Sequence, residues 1–280
     1  TLHNMNIVII GTGYVGLVTG VGLASLGNFV NFIDLDENKI KDLSSKKITF
    51  YEPGLEEYFN DDATFKRMSF SSDYASIEWD NIDIVFVCVQ TPNNIETNSV
   101  DTKFLESAIK EINNVNNNDL VITVKSTIPP YEIEKVCEKV GMDSSKLTFN
   151  PEFLREGTAV EDFFKPDRIV LGGTDSEKLT KLKELYSGFD CEIITTDSIS
   201  SQLIKYLANT YLPLRLSFVN EATRLINYSG GNLDDVLKGV GLDNRIGQHY
   251  FRPSPSWGGS CFPKDLVEVN NFYDKDKLNL

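Results

Sequence analysis

The chain has 280 residues, room for about two domains, and its 41% hydrophobic and 24% charged residues exclude a disordered polymer. Lys and Arg total 27 against 41 Asp and Glu, a net charge of −14 with a pI near 4.6, which excludes general affinity for nucleic-acid backbones or anionic membranes. An anionic ligand therefore needs a local, preorganised site. Four scattered cysteines (Cys88, Cys137, Cys191, Cys261) and two histidines (His3, His249) offer neither a disulfide framework nor a zinc site, and no metal is expected. No apolar run approaches the roughly 20 residues of a membrane span. The N-terminus has no basic region with an apolar signal core, so the expectation is a cytoplasmic, non-exported protein.

From residue 5 to about 196, short β-branched runs alternate with helical stretches. Strands are predicted at 6–10, 29–34, 84–89, 120–125, 147–150, 168–171 and 192–195, and helices lie between them, for example 102–112 and 176–186. Near-continuous apolar strands alternating with helices predict an α/β fold, a doubly wound, Rossmann-like dinucleotide-binding domain with a parallel sheet. The Asn-rich stretch 113–118 reads as a polar surface turn. From 197 to 280 the pattern changes to a long central helix, 198–228, followed by a short, mostly helical segment. Apolar residues recur on that helix at Leu203, Ile204, Leu207, Tyr211, Leu214, Phe218 and Leu225, and Gly230-Gly231 ends it. Pro213 is expected to kink it, because proline lacks the N–H that would bond the Asn209 carbonyl. Its apolar surface exceeds what one domain needs, which predicts a homodimer through this helix.

Gly11-Thr12-Gly13-Tyr14-Val15-Gly16 follows the first strand and opens a helix. A lone G-x-G-x-x-G says little, but Asp34 closes the second strand 23 residues after Gly11, near the spacing of a dinucleotide fold. Gly11 makes the tight turn, Gly13 admits a pyrophosphate, and Gly16 lets helix and strand touch. The phosphates sit at the helix N-terminus. Asp34 accepts from a ribose diol and repels a 2′-phosphate, which selects NAD over NADP. Lys39 either approaches the adenosine or is a solvated helix lysine.

Thr91-Pro92 and Ser126-Thr127 follow strand ends, where open α/β sheets bind ligands, although turn chemistry accounts for them equally well. Glu152 and Glu156 share one face if their segment is helical; alone they read as an exposed acidic turn. Lys205 and Asn209 share a face of the long helix, and alone Lys205 reads as a surface lysine. Residues 245–264 hold Arg245, Arg252 and Lys264 and no acid, which suits a loop built to hold an anion. Cys261 precedes Pro263 at a predicted helix start beside Lys264, a setting that favours the thiolate. Cys88, Cys137 and Cys191 read as inert.

Together these segments resemble the nucleotide-sugar 6-dehydrogenase family: GTGYVG at 11–16, YEPGL at 51–55, KSTIP at 125–129, NPEFLREG at 150–157, KYLAN at 205–209, RLSFVNE at 215–221 and GGSCFPKD at 258–265. The resemblance implies that Cys261 is the nucleophile and that Lys205 stands beside the reacting oxygen with Asn209 and Asp265 as polar partners. Glu152 matches the base for hydrolysis, and Thr127 lies near the reactive carbon. It also implies a nicotinamide and substrate site that includes Glu156, with Lys264, Thr91, Pro92 and Ser126 near the cofactor. Phe153 and Leu154 belong to the substrate segment, the loop with Tyr250, Phe251, Arg252, Trp257 and Gly258 lies along the substrate, and Arg245 reaches a neighbour's site.

The implied reaction is a four-electron, NAD-dependent oxidation of UDP-glucose or a related nucleotide sugar. It runs through an aldehyde, a thiohemiacetal and a thioester that water cleaves. UDP-N-acetylmannosamine and GDP-mannose are rival substrates; a non-catalytic NAD-binding module and a single two-electron oxidation are rivals of other classes. The chain departs from the family at Ser256-Trp257, where Gly-Tyr or Gly-Phe is usual, and at Pro213. Family members continue into a nucleotide-binding domain absent here, so the expectation is a truncated or split form with little activity alone.

Overall fold

The computed structural model describes residues 4–94, 99–115, 117, 119–255 and 262–276. In chain order the strands and helices are β1 (Asn6–Ile10), α1 (Tyr14–Ser25), β2 (Phe29–Ile33), α2 (Glu37–Ser44), α3 (Leu55–Asn60), α4 (Asp62–Phe65), β3 (Met68–Ser71), β4 (Ile84–Val87), β5 (Asn93–Asn94), β6 (Ser99–Val100) and α5 (Lys103–Asn113). They continue with β7 (Val121–Val124), α6 (Pro130–Val140), β8 (Leu147–Phe149), α7 (Ala159–Phe164), β9 (Arg168–Gly172), α8 (Ser176–Leu185), β10 (Glu192–Thr196), α9 (Ser198–Ser229), α10 (Leu233–Gly241) and α11 (Phe262–Asp276). The chain forms two compact units, Thr1–Pro92 with Asp101–Leu203, and Asn93–Val100 with Ile204–Leu280.

In the first unit, strands in the order β10-β9-β8-β7-β4-β1-β2-β3 form one sheet. Its β3-β2-β1-β4-β7-β8 portion is parallel and reverses direction of strand addition between β1 and β4, the crevice where open α/β sheets bind ligands. The central strands β1, β4 and β7 are buried on both faces, which is why they read as near-continuous apolar runs. On β1, Ile7 and Ile9 enter the core that holds Leu17, Val21, Phe32 and Phe163, while Val8 and Ile10 enter the opposite core with Leu105, Ile109, Ile122 and Ile133. Asp36 and Asp175 cap α2 and α8 by accepting from amides of the first turn, and Pro130 opens α6.

The structure departs from the sequence reading in several places. β9 runs antiparallel to β8, because α7, the helix between them, packs on α1 instead of carrying the chain back over the sheet; the Phe163 ring lies against Gly22. Met68–Ser71 adds an edge strand that its mixed composition hid. The second unit contains the β5–β6 hairpin, against which α11 packs, and a small core of Val219, Ile226, Leu237 and Phe251. α9 runs from Ser198 to Ser229 as one continuous helix that contains Pro213.

Candidate active site

The glycine-rich turn has the backbone its sequence requires. Gly11 is left-handed, φ 96°, and its N–H donates to the Ile33 carbonyl at 2.8 Å. A Cβ on Gly16 would stand 1.9 Å from the Gly11 carbonyl oxygen, whereas one on Gly13 would meet nothing within 4 Å. α1 starts with no side-chain cap and no acid in its first turn, so its free N–H groups and dipole remain available to phosphates. Thr12 donates from its N–H and its hydroxyl to Asp34 Oδ2 at 2.8 and 2.7 Å, and Lys39 Nζ lies 3.9 Å from the same oxygen. Burial by itself would raise the Asp34 pKa; the amides of Asp36 and Thr12, the Thr12 hydroxyl and Lys39 outweigh it and hold the carboxyl below the usual aspartate value. An open cradle, a bare helix start and a fixed carboxylate suit a dinucleotide without a 2′-phosphate.

At the C-terminal ends of β4 and β7, the Thr91 hydroxyl donates to the Thr127 carbonyl at 2.8 Å and the Ser126 hydroxyl to the Val89 carbonyl at 2.6 Å. Pro92 is exposed. These contacts tie two loops together beside the turn. Glu152 is buried and its Oε2 accepts from the Leu154 N–H at 2.7 Å. Residues 151–155 are not helical, so Glu152 and Glu156 do not share a helix face; Glu152 folds inward and Glu156 is exposed. The Arg168 guanidinium stacks on the Phe153 ring, 3.7 Å from its centroid, and Leu154 packs on the larger core.

Sequence reasoning passed over two groups of polar residues in this unit. Lys125, buried at the end of the KSTIP strand, donates to Asn150 Oδ1 at 2.9 Å, and the Tyr186 hydroxyl donates to the same oxygen at 2.7 Å. A basic residue closing a fully buried strand was the available signal. The second is Glu52, considered below. Cys88 follows β4 and is buried, which pushes its thiol up to about 12; burial likewise takes Cys137 to about 11 and raises Cys191. The raised pKa values favour the protonated thiol at all three positions.

In the second unit, Lys205 and Asn209 are 4% and 7% exposed, which corrects the reading of Lys205 as a surface lysine. Asn209 Nδ2 donates to Asp265 Oδ2 at 2.6 Å, and Lys264 Nζ lies 3.9 Å from Asp265 Oδ1. Glu268, one turn further along α11, is also buried. Phe251 sits in the small core, Tyr250 has a left-handed backbone (φ 55°), and Arg252 is exposed. Arg245 donates in a fork to Asp243, an acid just outside the acid-free stretch. Arg215 anchors the same turn through the carbonyls of Ile246 and Gly247. Cys261, Trp257 and Gly258 lie outside the described residues. Among the described residues, no group of three His, Cys, Asp or Glu could hold a metal ion.

Residues 5–190 match the NAD binding domain of the UDP-glucose/GDP-mannose dehydrogenase family, and residues 199–280 match its central domain. The chain belongs to that family. It is 39% identical to UDP-glucose 6-dehydrogenase of Rickettsia felis, covering 98% of this chain and 62% of that protein. It is 38% identical to UDP-glucose 6-dehydrogenase YwqF of Bacillus subtilis, covering 97% and 63%. Among solved structures, a UDP-glucose dehydrogenase from Pyrobaculum islandicum superposes with a TM-score of 0.90 at 35% identity, over 99% of this chain and 66% of that one. The chain thus spans less than two thirds of the length of these members of the UDP-glucose/GDP-mannose dehydrogenase family.

Proposed function

We propose that the protein is an NAD-dependent dehydrogenase that oxidises C6 of UDP-glucose to the carboxylate in two successive hydride transfers. The observation that carries the reading is the buried polar face of α9 and α11, with Lys205 inside and Asn209 held on Asp265. A side chain as costly to bury as lysine is retained where charge develops. NAD⁺, when bound at the glycine-rich turn beside Asp34, supplies the hydride acceptor. Lys205 stabilises the negative oxygen of the alkoxide and of the later tetrahedral adduct, and Asn209 and Asp265 orient it. The Cys261 thiolate adds to the aldehyde to form a thiohemiacetal, whose carbinol loses the second hydride to leave a thioester. Glu152 takes a proton from the water that cleaves the thioester, and Thr127 helps place that water. Lys264 and Glu156 flank the nicotinamide. Residues 250–258 and Arg245 contact the sugar nucleotide. The names of the relatives that are 38–40% identical support UDP-glucose among nucleotide sugars. The proposed setting is the cytoplasm, where Cys261 stays reduced.

A homodimer through α9 is part of the proposal. Leu207, Tyr211, Leu214, Phe218 and Leu225 form an apolar stripe at helical spacing, with Leu214 62% and Phe218 60% exposed.

Whatever turnover of UDP-glucose the protein supports is expected to form two NADH per uronate, and Cys261→Ser to lose the second oxidation. One NADH per turnover, or GDP-mannose outcompeting UDP-glucose, contradicts the reading.

A further inference from the structure

Glu52 is buried in the first unit, and every group that bonds its carboxylate is distant in sequence. Its Oε2 accepts from the Tyr14 hydroxyl at 3.0 Å and from the Gly157 N–H at 2.9 Å, and its Oε1 accepts from the Ala159 N–H at 2.8 Å. The Tyr14 hydroxyl also lies 2.8 Å from the Arg155 carbonyl oxygen, so its single proton is shared between the Glu52 carboxylate and the 155–159 turn. Burial, then the Glu52 carboxylate, raises the Tyr14 pKa, and the phenol keeps its proton throughout the neutral range. Tyr14 is the first residue of α1 and part of the glycine-rich turn. Residues 155–159 continue directly from the segment bearing Glu152 and Glu156 and are otherwise held at Asp162, which accepts from the Arg155 N–H and the Thr158 hydroxyl. Gly157 is left-handed, φ 91°, and residues 155–158 are exposed, so little apolar packing fixes this turn.

We infer that Glu52 is a positioning residue: it locks the 155–159 turn to the glycine-rich turn, so that the Glu152–Glu156 segment and the cofactor cradle move as one rigid piece. One carboxylate satisfies two backbone donors of the 155–159 turn and the phenol of the glycine-rich turn. The consequence for NAD affinity rests on the cofactor reading above. The tie between the two turns does not.

The test uses the full chain in two arms. In the first, without nucleotide, amide hydrogen exchange at 157 and 159 is compared in wild type, Glu52→Gln and Tyr14→Phe. Loss of charge-assisted hydrogen bonds predicts exchange faster by about tenfold or more in Glu52→Gln, with a smaller rise in Tyr14→Phe. Unchanged exchange in both variants overturns the inference, whatever NAD does. In the second arm, NAD⁺ is titrated calorimetrically. The Kd is expected to rise about tenfold in Glu52→Gln, and adding Tyr14→Phe is expected to worsen it by less than the two single effects combined, because both act through one link. Leu182→Ala, in the core under α8, lowers stability without touching either turn and is expected to leave the Kd within about twofold. Fully additive effects, or an equal loss in Leu182→Ala, reduce Glu52 to a general structural role and overturn the inference. Absence of NAD binding by the wild type contradicts the cofactor reading, and the exchange arm still decides the tie.

Discussion

The two faces of α9 invert the usual order of a helix. One buries Lys205 and Asn209, while the other leaves Leu214 and Phe218 more than half exposed. Burying a lysine and an amide costs several kcal/mol unless they are paired, so a fold does not do it for stability alone. Leaving large apolar side chains in water forfeits about 1.5–3 kcal/mol each. Within the chain Asn209 is held by Asp265, so the polar face is partnered, and the exposed stripe is the face that the proposed dimer would cover.

Breaking the polar face gives the largest expected effect. Lys205→Ala removes the charge proposed to face a developing oxyanion and is expected to lower kcat by about 10²–10³ with little change in NAD affinity. A fall confined to KM contradicts the role. Leu214→Glu or Phe218→Glu attacks the opposite face. Light scattering is expected to show a dimer in the wild type and a monomer in either variant, with NAD binding preserved; a variant that stays dimeric removes the stripe from the interface.

Smaller effects sharpen the contrast with the cofactor cradle. NADP⁺ is expected to bind at least about tenfold more weakly than NAD⁺, and Asp34→Asn to narrow that gap. Because the folded Asp34 carboxyl titrates below its unfolded value of about 3.9, its contribution is complete above that pH and disappears as pH falls through the lower folded value. Stability and NAD affinity should therefore show no Asp34-dependent change between about pH 5 and 8, and a loss that begins near neutrality contradicts the assignment.

Much of the cofactor cradle was legible because its signals are local: a glycine turn between a strand and a helix, and a carboxylate at the next strand end. Strand positions were legible too. Four of the seven ended one or two residues late, as at Cys88, where the apolar run continues past the last ladder pair, while the first matched and the last two ended one residue early. The buried polar groups were not legible from spacing, since each is defined by partners distant in the chain. Asn209 meets Asp265 56 residues on, and Glu52 meets Ala159 107 residues on. Lys205 looked like any helix lysine, and family motifs, not periodicity, singled it out. The antiparallel β8–β9 pair follows from where α7 packs, which no local pattern encodes.

The most direct test of the account is covalent. Glu152→Gln removes the proposed base for hydrolysis, so with UDP-glucose and NAD⁺ the oxidised sugar is expected to remain on the protein. Intact mass and peptide mapping should find a hydroxylamine-sensitive thioester at Cys261, formed together with a burst of two NADH per site. Four-electron oxidation that persists in Cys261→Ser, with no adduct on any cysteine of the Glu152→Gln protein, would contradict it.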